Sequence, residues 1–238
     1  MLSVNFFPPE SPEDGNLPSV LFVLATDTGV GKTLVMESIV RESAGPDRLF
    51  VKAVQTGVAP IGESRGGKRP GAQEERDLSR YLKAGALSSS VWEGASFRAP
   101  LDPMTAARLE GRTVDREALA FRVRTEALAG KRVVVEGSGG VLSPFFEDGS
   151  GILSLARALA LPVRVLLVSH PHLGTLSATL SAVRVLILEG YPPEALLLCP
   201  RPKVADMAGR LNPRTLAALL PDLPVHLLGD KGEWERIV

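Results

Sequence analysis

A chain of 238 residues with 45% apolar content can bury a substantial core, and its length suits one large α/β domain while also allowing two. Basic and acidic residues balance at 27 each, so nothing marks a nucleic-acid or anionic-membrane binder. The single cysteine, Cys199, excludes an internal disulfide and fits a reducing cytosol, and the absence of any run of about 18 apolar residues predicts no transmembrane helix.

Residues 1–19 are rich in Pro, Glu, Asp, Asn and Ser and read as a mobile or surface-draped tail, without the basic and apolar segments of a secretory signal. Residues 20–238 then read as one domain. An apolar strand at 20–25 runs into Thr26-Asp27-Thr28-Gly29-Val30-Gly31-Lys32-Thr33, and a helical pattern follows to about residue 43, stopped by Gly45-Pro46. A second strand, 48–54, delivers Lys52 and then Gln55-Thr56-Gly57. Glycines, prolines and charges over 58–73 predict a long loop. A short helix at 74–82 carries Asp77. Further helices are expected at 104–110 and 115–128, and a strand at 132–136 ends in Glu136-Gly137-Ser138-Gly139-Gly140. A helix at 151–159 and a wholly apolar strand at 163–168 come next. The turn Ser169-His170-Pro171-His172-Leu173-Gly174-Thr175 opens a helix to about 189. A strand at 195–199, two short helical patterns at 204–211 and 213–220, and a last strand at 223–228 complete the chain. Strands alternating with helices imply a mostly parallel sheet with ligands at the strand C-terminal ends.

Strand, glycine turn, Gly-Lys-Thr and helix in that order predict a phosphate loop and a P-loop NTPase-type three-layer α/β/α fold. Amides of Gly29, Val30, Gly31, Lys32, Thr33 and Leu34 would wrap a polyphosphate, Lys32 would reach its terminal phosphates and the Thr33 hydroxyl would bind Mg²⁺. Glu136 ends an apolar strand, where a carboxylate is costly unless it holds an ion or a hydrogen-bond network; the alternative is a partly exposed acid at a loop start. Asp77 reads either as a second metal carboxylate or as an acid complementing a helix N-terminus. Lys52 reads either as a charge-stabilising group beside the anion site or as a lysine snorkelling out of a strand end. His170 and His172 form a His-x-His pair with no third ligand nearby, more in keeping with a turn than with a metal.

Together these segments resemble the dethiobiotin synthetase family. Residues 25–33 resemble its Gly-Thr-Asp-Thr-x-Val-Gly-Lys-Thr, and 51–57 its Tyr-Lys-Pro-Val-x-Ser/Thr-Gly. Residues 97–111 are similar to its substrate-side loop and helix, and Val135-Glu136-Gly137-Ser138-Gly139-Gly140 to its Val-Glu-Gly-Ala-Gly-Gly. The resemblance implies a cytoplasmic, homodimeric, ATP- and Mg²⁺-dependent cyclo-ligase of biotin biosynthesis. Its substrates would be 7,8-diaminononanoate and CO₂, joined through a carbamate and a carbamic–phosphoric anhydride. It implies catalytic roles for Lys32 and Lys52, and a metal shell of Thr33, Asp77 and Glu136. Nucleotide contacts would extend over Gly137, Ser138 and Gly139, and substrate contacts to Thr28 and Thr56. Leu173, Gly174 and Thr175 of a neighbouring copy would hold the substrate carboxylate. Departures from the pattern are Ala25, Val51 and Ala53; His172 before Leu-Gly; Cys199-Pro200 where the family has an adenine-reading Asn; and Gly229–Glu233 in place of a Pro-rich nucleotide loop. The alternative is a dimeric nucleotide-dependent switch of the partition or metallochaperone type, against which Asp27 stands where those proteins carry a signature lysine.

Overall fold

The sequence of β1 (Val20–Ala25), six apolar residues and all buried, already dictates a strand covered on both faces. Its even-numbered residues Val20, Phe22 and Leu24 join one apolar cluster, and the odd-numbered Leu21, Val23 and Ala25 join another. That two-residue alternation divides the protein into layers. A computed structural model describes residues 18–58, 76–200, 207–229 and 232–238. Most of the expected tail and of the 58–73 loop lies outside the described residues.

After β1 come α1 (Lys32–Ser43), β2 (Arg48–Thr56), α2 (Asp77–Ala84), β3 (Val91–Phe97), α3 (Pro103–Leu109), α4 (Arg116–Leu128), β4 (Arg132–Glu136) and α5 (Leu153–Leu159). They are followed by β5 (Val163–Ser169), α6 (Thr175–Leu188), β6 (Ala195–Leu198), α7 (Met207–Leu219), β7 (Val225–Leu228) and β8 (Trp234–Ile237). The strands form one sheet in the order β3-β2-β4-β1-β5-β6-β7-β8, parallel except for the β7–β8 pair. The chain first steps outward from β1 to β2 and β3, then returns through β4 and continues past β1 to β7. Right-handed crossovers therefore put the helices of the two directions on opposite faces. Val35, Met36 and Ile39 of α1 and Tyr81 of α2 pack on one face; α3, α4, α5, α6 and α7 pack on the other through residues such as Ala106, Val123, Leu155, Leu186 and Leu216. The fold is thus the α/β, P-loop NTPase-type architecture expected from the sequence. Phe22 and Phe50, both at 0% exposure, lie on opposite faces of the sheet, and truncating either to Ala should cost about 3–5 kcal/mol.

Two strands are additions to the sequence reading. β3 was hidden by Glu93 and Gly94, which interrupt its apolar run. Glu93 is buried against Arg76 at 2.6 Å, and a Cβ on Gly94 would collide with Leu119 of α4 and stand 2.5 Å from Ala53 O. β8 is a short edge strand closed by a hairpin in which Gly229 N donates to Glu233 O at 2.8 Å. Gly229, Gly232 and Glu233 of the segment 229–233 lie where that hairpin turns, and residues 230 and 231 lie outside the described residues. Of the two helical patterns expected at 204–211 and 213–220, residues 204–206 lie outside the described residues, and Met207–Leu219 form one helix, α7, with Pro213 inside it.

Candidate functional site

β1, β2 and β4 are adjacent and parallel, so the residues that follow them emerge on one edge of the sheet. Gly29 and Gly31 turn the chain there with φ of 71° and 112°, values that a side-chain-bearing residue adopts only with strain. At Gly31 there is also no room, because an added Cβ would stand 2.5 Å from Cys199 Cβ. The turn feeds α1, whose first intrahelical bond runs from Val35 N to Gly31 O at 3.1 Å. The amides of Lys32, Thr33 and Leu34 precede that bond and form the N-terminus suited to an anion.

The register explains how the charged side chains meet. Lys52 on β2 pairs with Glu136 on β4, so both project to the face covered by α1 and α2. Lys52 Nζ lies 2.6 Å from Glu136 Oε1, 2.8 Å from Asp77 Oδ2 and 3.3 Å from Gly137 O, which occupies all three of its protons. Thr33 Oγ1 lies 3.1 Å from both Asp77 Oδ1 and Glu136 Oε1. Asp77 is the first residue of α2, so it both complements the helix N-terminus and joins the cluster; its amide donates to Gln55 Oε1 at 3.1 Å. Lys32 reaches over the loop to Gly139 O at 2.9 Å and Asp27 O at 3.1 Å. Two ammonium groups and two carboxylates thus stand together with little solvent, an arrangement that survives only through mutual pairing. Burial opposes the charge on Lys52, but Glu136 and Asp77 outweigh it and its pKa ends above the ordinary lysine value. For Lys32, burial first and Lys52 second lower the pKa to about 8.

A cavity of about 890 Å³ opens over this cluster. Its floor is Lys32, Thr33, Lys52, Asp77 and Glu136, and it extends past Thr28, Thr56, Ser138 and Gly139 to a wall made by residues 100–103. Asp102 builds that wall by capping α3, its Oδ1 accepting from Thr105 N at 2.9 Å. Ser138 is tied by its hydroxyl to Val54 O, which stitches the glycine turn after β4 to β2. The donor set facing Thr33 is oxygen only: one hydroxyl and two carboxylates whose 3.1 Å separations approach the roughly 2.9 Å edge of an octahedron with 2.0–2.1 Å ligand distances. These residues fit Mg²⁺.

Three groups in or behind the cavity wall escaped the sequence reading. Tyr81, fully buried on α2, donates its hydroxyl to Glu136 Oε2, and burial together with the Glu136 charge raises its pKa well above 10. The signal was present, since Tyr81 follows Asp77 by one helical turn. Arg80 lines the cavity with its Nε held 2.6 Å from Glu37 Oε1, and Gln55 lines it beside Asp77. By contrast, Leu173, Gly174 and Thr175 are not among the residues lining the cavity. Leu173 is 84% exposed at the start of α6, whereas Thr175 is buried, its amide donating to His172 O and its hydroxyl bonded to Ser169 and Thr179. His170 and His172 stack at 5.7 Å in the same turn, with His172 N donating to His170 Nδ1, and His172 is buried rather than presented beside Leu173.

Comparison with known proteins identifies the family. The family model for an AAA domain matches residues 19–227. An ATP-dependent dethiobiotin synthetase BioD of Anaeromyxobacter sp. (strain Fw109-5) is 36% identical over 223 residues, covering 92% of this chain and 94% of that protein. The protein of the same name from Anaeromyxobacter sp. (strain K) is 37% identical over 217 residues, with 90% of each chain covered. That of Streptomyces coelicolor is 35% identical over 208 residues, covering 86% of this chain and 78% of its own. With a phosphate loop, a charged cluster beneath one cavity and relatives aligned over nearly its whole length, the chain belongs to the ATP-dependent dethiobiotin synthetase family, a family of ligases.

Proposed function

We propose that the protein is an ATP-dependent dethiobiotin synthetase that closes the ureido ring of dethiobiotin from 7,8-diaminononanoate and CO₂. One amine of the diamine adds to CO₂, loses a proton and becomes a carbamate. A carbamate oxygen attacks the γ-phosphorus of ATP and ADP departs. The second amine then attacks the carbonyl carbon of the mixed anhydride, loses its proton and expels phosphate.

The chain's contribution is placement and charge neutralisation. Lys32 draws in the terminal phosphates, exchanging the carbonyls of Asp27 and Gly139 for phosphoryl oxygens. Lys52 serves the oxygens shared by carbamate and phosphoryl group; because its three protons are engaged, it must release a partner first, and Gly137 O at 3.3 Å is the longest contact. Thr28 and Thr56 supply hydroxyl groups on the carbamate side of the cavity. Thr33, Asp77 and Glu136 hold Mg²⁺, which when bound offsets charge on the polyphosphate. The diamine's carboxylate lies at the α6 N-terminus of a second copy, where Leu173 and Gly174 are the outward-facing residues.

The observation that carries this reading is the buried meeting of Lys52 with both Asp77 and Glu136 beneath the phosphate loop. A switch-type nucleotidase would carry its second ammonium at the start of the loop, where this chain has Asp27, and not on β2. The test is phosphate release with and without diamine and bicarbonate, with mass-spectrometric detection of a cyclic urea. Release that depends on both supports the synthetase; hydrolysis indifferent to both, without product, overturns it.

A further inference from the structure

The two oxygens of Glu136 are chemically alike, and the fold treats them differently. Oε1 sits among the cavity-lining groups, 3.1 Å from Thr33 Oγ1 and 2.6 Å from Lys52 Nζ. Oε2 points the other way and accepts from the Tyr81 hydroxyl. Both side chains are at 0% exposure, so water does not compete for that bond. Tyr81 rides on α2 four residues after Asp77, so one rigid helix supplies a carboxylate to the cluster and a restraint on the other carboxylate.

We infer that Tyr81 is a positioning residue that selects the metal: by holding Oε2 it makes Glu136 a one-oxygen ligand and biases the site toward Mg²⁺ and Mn²⁺ and against Ca²⁺. This rests on the metal role of Thr33, Asp77 and Glu136 proposed above. Mg²⁺ demands near-octahedral geometry at about 2.0–2.1 Å, and the two oxygens of one carboxylate are too close together to span an edge of that octahedron. Ca²⁺ takes about 6–8 oxygens at longer distances and gains from a carboxylate that binds through both. The Tyr81 bond opposes that second contact by holding Oε2 on the side away from Thr33 and Lys52. Removing the hydroxyl strands a buried carboxylate oxygen, whose remaining recourse is to turn toward the cation.

The experiment titrates Mn²⁺ into the full-length protein with ADP, reads free Mn²⁺ by electron paramagnetic resonance, and displaces bound Mn²⁺ with Mg²⁺ or Ca²⁺. Nucleotide alone serves as the reference. In the unaltered protein Mg²⁺ should outcompete Ca²⁺ by about ten-fold more than it does for free nucleotide, and Y81F should narrow that ratio by about ten-fold while retaining a cooperative melt. A folded Y81F with an unchanged ratio overturns the inference. So does an unaltered protein that takes Ca²⁺ as readily as Mg²⁺, a measurement that does not require the variant to fold. E136Q separates the two levels. Undiminished Mn²⁺ binding in E136Q removes the metal reading itself. Lost binding in E136Q together with an unchanged ratio in Y81F removes only the role of Tyr81.

Discussion

Two buried polar clusters flank the end of β1, and they differ in kind. On the β5 side Thr26, Ser169, Thr175 and Thr179 join their hydroxyls at 3.0–3.1 Å, and the last three close a ring. On the β4 side Lys52, Asp77, Glu136, Thr33 and Tyr81 form a cluster of opposed charges. A hydroxyl is donor and acceptor at once, so a ring of hydroxyls satisfies itself and asks nothing of a ligand. A carboxylate only accepts and an ammonium only donates, so the charged cluster can trade partners whenever another ion arrives. Hydrogen-bond satisfaction alone does not tell a working site from a structural one. Charge and an adjoining cavity do.

Breaking the charged cluster should have the largest effect. K52A removes the ammonium that pairs directly with Glu136 and Asp77, and product formation should fall by about 10³-fold or more; activity within ten-fold of the unaltered protein would move the chemistry elsewhere. K32A should follow, with kcat/KM for ATP reduced by about 10²–10³-fold in a phosphate-release assay.

The lowered Lys32 pKa sharpens the contrast further, since the hydroxyl ring has no titration of its own. Free protein loses the Lys32 proton above about pH 8, and a polyphosphate bound as proposed should restore it. Nucleotide affinity should therefore weaken by up to about ten-fold per pH unit above 8, with proton uptake on binding measurable by calorimetry in buffers of different ionisation enthalpy. For folding the sign is opposite. The unfolded chain, with Lys32 near 10.5, binds more protons between about 8 and 10.5, so the destabilisation caused by this buried charge is relieved as pH rises through that window. The smallest effect on catalysis belongs to the hydroxyl ring. T179V should cost about 1–3 kcal/mol in a denaturant melt and leave kcat of the folded enzyme unchanged.

Local signals in the chain carried much of the fold. The phosphate loop, Lys52 and Glu136 could be read because each sits at the junction of an apolar run and a small-residue turn, and parallel sheets place such junctions together. β3 could not, because its Glu93 is neutralised by Arg76, seventeen positions away, and its glycine answers a close approach by α4. Long-range compensation leaves no local trace. Tyr81 was missed for a different reason: a tyrosine in a short polar helix reads as a packing residue until its hydroxyl is seen to meet Glu136. Thr175 shows the converse, since a motif placed it at a helix start without showing that its hydroxyl turns inward.

The contact between Cys199 and Gly31 has a practical side. The chain's one thiol lies beneath the phosphate loop, 2% exposed, with burial raising its pKa to about 12. Its alkylation requires a local opening of the structure around it, so the labelling rate is a built-in clock of that breathing, and a nucleotide that clamps the loop should slow the clock.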